Sequence, residues 1–276
     1  MKKLLYLTDG FNKNLIPDEK GIIEVFKSLE VELDIRIWDE VDWKTYENIL
    51  IRTPWDYSKK KELFLSKLNS VIERNLINPK SIVEWNMDKS YLKELYQKGF
   101  PVIETEVCRN FKLADLDSLF KKYETLVVKP LVGAGGINTF LVTKDSLNEL
   151  GPLLNFDVII QPFIPSIKTL GEISLIYFDG EFSHSVIKTA KEDEFRIQDD
   201  HGGSVQSYNP SLDCIKTGHQ ILSSVGEKLA YARVDLVKDK DSFLLMELEL
   251  IEPELFFRFS TQGMNIFAKT IKSRLS

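Results

Sequence analysis

The sequence predicts an α/β unit followed by an α+β unit. Three observations carry this. Up to about residue 75, short apolar strands alternate with segments of helical period. Beyond about residue 170, strand patterns follow one another around an Asp179-Gly180 hairpin signal. The chain has 276 residues with 43% hydrophobic content, enough to fill more than one core.

In order, residues 4–7 are an apolar strand and 22–29 carry apolar residues at helical spacing. Residues 33–38 alternate as a strand, 49–51 are a short apolar run, and 59–72 repeat Leu63, Leu65, Leu68 and Ile72 on a helical period. Such alternation favours a small layer with a mostly parallel sheet. The boundary falls near 80–90, where Asn78-Pro79-Lys80-Ser81 reads as a loop; the units are 1–84 and 85–276. Residues 87–98 read as a helix that Gly99 stops before Pro101. A strand at 102–107, a helix at 113–122 and a strand at 126–129 lead to a glycine-rich turn. A strand at 138–142, a helix and an apolar run at 158–160 come next. Strands at 173–178 and 181–187 flank the hairpin turn. A helix at 215–229, strands at 231–237 and 243–251 and a helix at 262–275 complete the chain.

Composition excludes several classes of function. Thirty-six Lys and Arg against 42 Asp and Glu give a net charge of −6, so nothing draws the whole chain to nucleic acid or an anionic membrane. Two cysteines, Cys108 and Cys214, make neither a disulfide framework nor a four-cysteine zinc site, and point to the reducing cytoplasm. No apolar run approaches the ~20 residues of a membrane span, and the N-terminus reads as a first strand rather than a signal peptide. Homodimers are the commonest assembly for such proteins.

Chemistry concentrates in two places. Val128-Lys129-Pro130 ends an apolar strand and runs into Gly133, Gly135 and Gly136. This is no Walker A loop, because no Gly-Lys-Ser/Thr follows, and no dinucleotide fingerprint, because a strand follows rather than a helix. Glycines let backbone N–H groups approach an anion, and the lysine can pair with phosphate. The plainer reading is a hairpin loop with a surface lysine. Further on, Arg233 and Asp235 share one face of a strand, and Glu247 and Glu249 share one face of the next. Three carboxylates crowded on one surface repel unless a cation joins them, and magnesium takes such ligands together with phosphate oxygens. The alternative is a solvated acidic face on an edge strand.

Three weaker features remain. Arg52-Thr53-Pro54-Trp55-Asp56-Tyr57 follows the strand at 49–51, at the end where open α/β sheets bind ligands, so Arg52 can hold a substrate carboxylate. A buried Pro-Trp turn with a surface arginine is the other reading. Lys188 and Arg196 flank the region before His201-Gly202-Gly203 and offer positive charge to phosphates or an acid, or simply face solvent. His184, His201 and His219 show no metal-ligand spacing; His184 reads as a surface or hydrogen-bonded residue, and the cysteines as packing residues.

Together these motifs resemble the ATP-grasp superfamily, most closely its glutathione-synthetase-like branch that includes the cycloserine-forming ligases. The resemblance covers the chain from about Asn86 onward. It implies a small parallel-sheet pre-ATP-grasp domain and a two-lobed ATP-grasp domain, with 85–165 as the smaller lobe and 166–276 as the larger. Asn86-Met87-Asp88-Lys89 resembles the segment of the first nucleotide lysine, Lys89. Lys129 with Gly133, Gly135 and Gly136 resembles the second lysine and the phosphate-covering loop. Gln161, Phe163 and Ile164 resemble the hinge that binds adenine, and Glu172 the acid that takes the ribose hydroxyls. Arg233 resembles the catalytic arginine, and Asp235, Glu247 and Glu249 the metal carboxylates. One departure is Glu247-Leu248-Glu249, where many relatives carry Glu-x-Asn. Arg52, Lys188, Arg196 and Arg233 become the groups that meet substrate.

The resemblance implies ATP and Mg2+ (or Mn2+) as cofactors, and ligation of a small-molecule carboxylate to an amine through an acyl phosphate, ring-closing or peptide-like. Two alternatives remain from other classes: a small-molecule kinase on the same fold, and a non-catalytic nucleotide-binding module.

Overall fold

A computed structural model describes residues 1–133, 135–190 and 203–276. The first part is a three-stranded parallel sheet of β1 (Lys2–Thr8), β2 (Val31–Ile37) and β3 (Ile49–Thr53), ordered β2-β1-β3. Two helices accompany it, α1 (Ile22–Ser28) and α2 (Lys61–Asn69). Side chains of β1 alternate between two cores. Leu5 and Leu7 face Trp38, Trp43 and Phe64, whereas Leu4 and Tyr6 join Phe26, Phe178, Tyr231 and Phe267. The second core is shared with the rest of the molecule: α7 (Gly263–Ser273) returns from the chain's far end, and its Phe267 ring meets Phe26 edge-on at 6.4 Å.

The remainder holds two antiparallel sheets. One has four strands ordered β4-β7-β5-β6: β4 (Glu106–Cys108), β5 (Leu126–Pro130), β6 (Phe140–Val142) and β7 (Val158–Pro162). The other has five, ordered β10-β9-β8-β11-β12: β8 (Glu172–Phe178), β9 (Glu181–Thr189), β10 (Ser204–Ser207), β11 (Tyr231–Asp239) and β12 (Ser242–Glu249). The β8–β9 turn is Asp179-Gly180, with φ of 54° and 84°, the left-handed pair that a two-residue hairpin requires. A parallel sheet in front and antiparallel sheets behind match the fold class read from the sequence.

Several elements differ from expectation. The helix expected over 87–98 is α4 (Tyr91–Gln97), which begins later than expected, and a helix that was not foreseen, α3 (Lys80–Asn86), starts inside the expected loop. Asp88 breaks the run: its Oδ1 accepts from Ser90 N at 2.8 Å, while Lys89 N leaves the helix ladder to donate to Leu131 O at 3.0 Å. Gly99 ends α4 with φ 81°, as expected. The strand at 102–107 shrinks to β4, because Val102 instead bridges Leu245 on β12, linking the two sheets. The helix at 113–122 is two 3-10 turns, the first tightened by Asp115 accepting from Lys112 N at 2.8 Å. The helix at 215–229 is α6 (Leu212–Ser223), started by the Ser211 cap on Cys214 N. A short α5 (Ser166–Thr169) and strand β10 were not foreseen.

Candidate active site

A cleft of about 970 Å3 lies between the two antiparallel sheets and opens toward the first part of the chain. Val127 and Lys129 of β5 face it, while Leu126 and Val128 fill the core behind. Lys129 forms no hydrogen bond or ion pair with any described residue. Burial lowers its pKa and neighbouring Lys89 adds to this, against the pull of Glu247. Lys89 Nζ donates to Gly133 O at 2.9 Å and to Glu247 Oε1 at 2.5 Å. Gly135 and Gly136 stand at φ 64° and 66°, which a side chain resists. These three glycines and both lysines line the same wall.

The opposite wall is a lattice of charge on the five-stranded sheet. Arg233 and Asp235 lie across from Glu249 and Glu247 in the β11–β12 register. The Arg233 guanidinium donates to both Asp235 oxygens at 2.9–3.2 Å, to Glu249, and to Glu254 O at 3.3 Å. Ser174 Oγ adds a bond to Asp235 at 2.6 Å. Lys188 pairs with Glu172, directly across β8–β9, and lies 3.6 Å from Asp235. Burial opposes the Asp235 charge, but Arg233 and Lys188 outweigh it and hold the carboxyl well below the usual range. Burial, with the Asp235 charge adding, pushes Glu172 up to about 7 despite Lys188. Glu249 also reaches about 7, through burial and then the charges of Asp235 and Glu247, despite Arg233.

The backbone carrying these acids is fixed from the outside. An edge strand normally leaves its N–H and C=O groups to water. On β12 the Asn86 amide donates to Leu248 O at 2.8 Å and accepts from Leu250 N at 2.9 Å, and the Tyr91 hydroxyl accepts from Leu248 N at 2.9 Å. Neither role was read from the sequence, since nothing in a one-dimensional pattern pairs residue 86 with residue 248.

Gln161, Phe163 and Ile164 line the cleft where β7 ends. The Gln161 side chain turns inward and donates to Thr105 Oγ1 at 2.8 Å, and Phe163 N donates to Thr125 O at 3.1 Å. Lys188, Glu172 and Arg233 are likewise in the cleft. Arg52 is not. It is fully buried, paired with Glu19 and donating to Pro253 O at 3.0 Å, with its guanidinium over the Tyr231 and Phe267 rings at 5.5 and 5.6 Å. The expectation that Arg52 holds a substrate carboxylate is therefore corrected: a buried acid and two aromatic faces have claimed it. Arg196 and His201 lie outside the described residues. His184 is hydrogen-bonded, to Ser183 Oγ and Leu255 O at 2.9 Å each. Among the described residues no trio of His, Cys, Asp or Glu forms a ready ion cage, because the cleft's acids lean on its cations. None of the described helices is long and apolar enough to cross a membrane.

Residues 88–273 match the family described as the RimK-like ATP-grasp domain. The chain belongs to this ATP-grasp family. Residues 4–78 match the N-terminal domain of the D-cycloserine synthetase DcsG. Among curated relatives, the cycloserine biosynthesis protein DcsG of Streptomyces lavendulae is 29% identical, covering 99% of this chain and 98% of the relative. The crystal structure of D-cycloserine synthetase DcsG superimposes with a TM-score of 0.87 at 27% identity, covering 99% of this chain and all of that one. A RiPP-associated ATP-grasp ligase of Chryseobacterium gregarium, solved with ADP and a leader and core peptide, shares the fold at a TM-score of 0.71 and 15% identity, covering 100% and 96%. As an ATP-grasp protein the chain is an ATP-dependent ligase that forms a C–N bond between a carboxylate and an amine, with ATP and Mg2+ as cofactors. Its substrates are small molecules or peptides.

Proposed function

We propose that this ligase acts on a small, amino-acid-like carboxylate and an amine, in the cytoplasm and without nucleic acid, through an acyl phosphate. The observation that carries the reading is the facing of Lys129, unpaired among the described residues, against Glu247, Glu249 and Asp235 across one cleft. Likeness to the cycloserine biosynthesis protein over both parts of the chain favours a small substrate, and a ring-closing reaction within it, over a peptide. We assign 1–84 to a pre-ATP-grasp domain, 85–165 to the smaller ATP-grasp lobe and 166–276 to the larger.

Each residue has a physical reason for its role. Lys129 and Lys89 neutralise the polyphosphate, and the loop bearing Gly133, Gly135 and Gly136 covers it against water. Phe163 and Ile164 flank the adenine, with the backbone after Gln161 reading its edge, and Glu172 takes the ribose hydroxyls. The all-oxygen donors of Asp235, Glu247 and Glu249 suit a hard divalent ion, and burial, with the neighbouring Asp235 and Glu247 charges adding, already drives Glu249 toward protonation. These three would hold Mg2+, which when bound supplies charge neutralisation for the transferring phosphoryl group. The substrate carboxylate attacks the γ-phosphorus and ADP leaves. The amine then attacks the acyl carbon, phosphate leaves and the nitrogen loses a proton. Arg233, held in place by Asp235, stabilises the oxyanion of that second step, and Lys188 supplies positive charge near the transferring group.

Hydroxylamine tests this directly. Incubation with ATP, Mg2+ and a panel of small amino acids should release ADP and yield a hydroxamate. A stable phosphorylated product without hydroxamate would instead indicate a kinase.

A further inference from the structure

The segment Arg52-Thr53-Pro54-Trp55-Asp56-Tyr57 was singled out by sequence, and burial of Arg52 leaves it without a task in the reaction. Its partners give it one. Three successive carbonyls just beyond β12 are each taken by a side chain. The Tyr231 hydroxyl lies 2.9 Å from Ile251 O and shares its proton with Ile51 O at 2.8 Å. Trp55 Nε1 donates to Glu252 O at 3.0 Å. Arg52 Nη2 donates to Pro253 O at 3.0 Å. A chain held at three consecutive peptide units has its side chains fixed in direction. The residue in the middle, Glu252, lines the cleft beside Trp55 and Tyr57.

Glu252 differs from the cleft's sheet acids. Glu172, Asp235, Glu247 and Glu249 each have a lysine or arginine within ion-pair distance. Among the described residues Glu252 has none. Burial, and then the charge of Glu249, push it up to about 8 despite the more distant pull of Lys89. A half-buried acid held toward a substrate cleft, with no ion-pair partner among the described residues, is completed by a cation from the ligand.

We propose that Glu252, seated by Arg52 and Trp55, is the binding site for the ammonium group of an amino-acid-type substrate. This deepens the proposed function and rests on it. The ammonium meets the carboxylate at the end of the cleft next to the first domain, leaving the substrate's acid to face the phosphates. Arg52 and Trp55 act through Glu252 and are positioning residues.

The test uses the full chain, ATP, Mg2+ and hydroxylamine, with small amino acids compared against their N-acetyl and deaminated analogues. In the wild type, the best amino acid should exceed its analogues at least tenfold in kcat/KM for hydroxamate formation. Glu252→Gln should raise the KM for that amino acid at least tenfold, bring the ratio near one, and leave the KM values for ATP and Mg2+ unchanged. Glu252→Asp should recover part of the preference, and Trp55→Phe should weaken it with little loss of kcat. A preference that survives in Glu252→Gln, or a wild type indifferent to the amine, overturns the subsite while leaving the ligase intact. A raised KM for Mg2+ in place of the amino acid would make Glu252 a metal ligand and overturn it as well. No hydroxamate from any acid would overturn the ligase reading first, and the subsite with it.

Discussion

Two arginines, Arg52 and Arg233, carry the same sequence signature: each stands at or near the end of an apolar strand and close to carboxylates. Their surroundings differ. Arg52 has no exposure, one buried acid, Glu19, and two donors, Nε and Nη1, without hydrogen-bond partners among the described residues. Arg233 sits on the cleft wall with Asp235 and Glu249 on its fork, a Glu254 carbonyl and the Phe256 ring 5.5 Å away. One guanidinium is sealed in the core between the first and last parts of the chain and serves stability. The other is held by acids and lines the cleft. An arginine's role thus follows from which of its donors are left facing open volume.

Substitutions should separate the two. The largest expected effect is on folding. Arg52→Met strands Glu19 in the interior and should cost about 3–5 kcal/mol in urea unfolding, whereas Arg52→Met with Glu19→Leu should recover most of it. Equal stability of the single variant would break the contrast. Arg233→Lys keeps the charge but loses the fork. It should lower kcat roughly 10²–10³-fold, a barrier increase of about 3–4 kcal/mol, with nucleotide affinity retained. Lys129→Ala should weaken ADP binding by about 1.5–3 kcal/mol, the value of a charged hydrogen bond, read by calorimetry. The smallest effect is a pH dependence. Glu172 and Glu249 near 7 and Glu252 near 8 hold protons in the folded state that the unfolded chain has already released. Their contribution to stability is complete below the ordinary carboxylate range and is lost as pH rises through 7–8. The melting temperature of the nucleotide-free protein should therefore fall from about pH 5 to about pH 8 through these groups. Glu252→Gln should flatten that slope, and an unchanged slope would remove Glu252 as its source.

Much of the fold was legible because periodicity reports burial. The β1 run, the β11 alternation and the Asp179-Gly180 turn were read with nearly their final bounds, since each depends only on neighbours in sequence. Breaks set by distant partners were not legible. Lys89 N donates to Leu131 O, forty-two residues away, so the expected helix begins only at Tyr91. The site divided along the same line. Lys129, its glycines and the β11–β12 acids were found by type and spacing, Lys89 and Glu172 through the family resemblance, and the cleft gathers them. Asn86 and Tyr91 on β12, Ser174 on Asp235 and the seat of Glu252 are long-range contacts without a local signal.

The account stands on the acids of β11 and β12 acting with a divalent ion and the nucleotide's phosphates. Calorimetric titration of ADP with and without Mg2+, in wild type and in Glu247→Gln, tests it most directly. The wild type should bind ADP at least tenfold more tightly with Mg2+, and Glu247→Gln, folded by circular dichroism, should lose that enhancement. An enhancement of undiminished size in Glu247→Gln would contradict it.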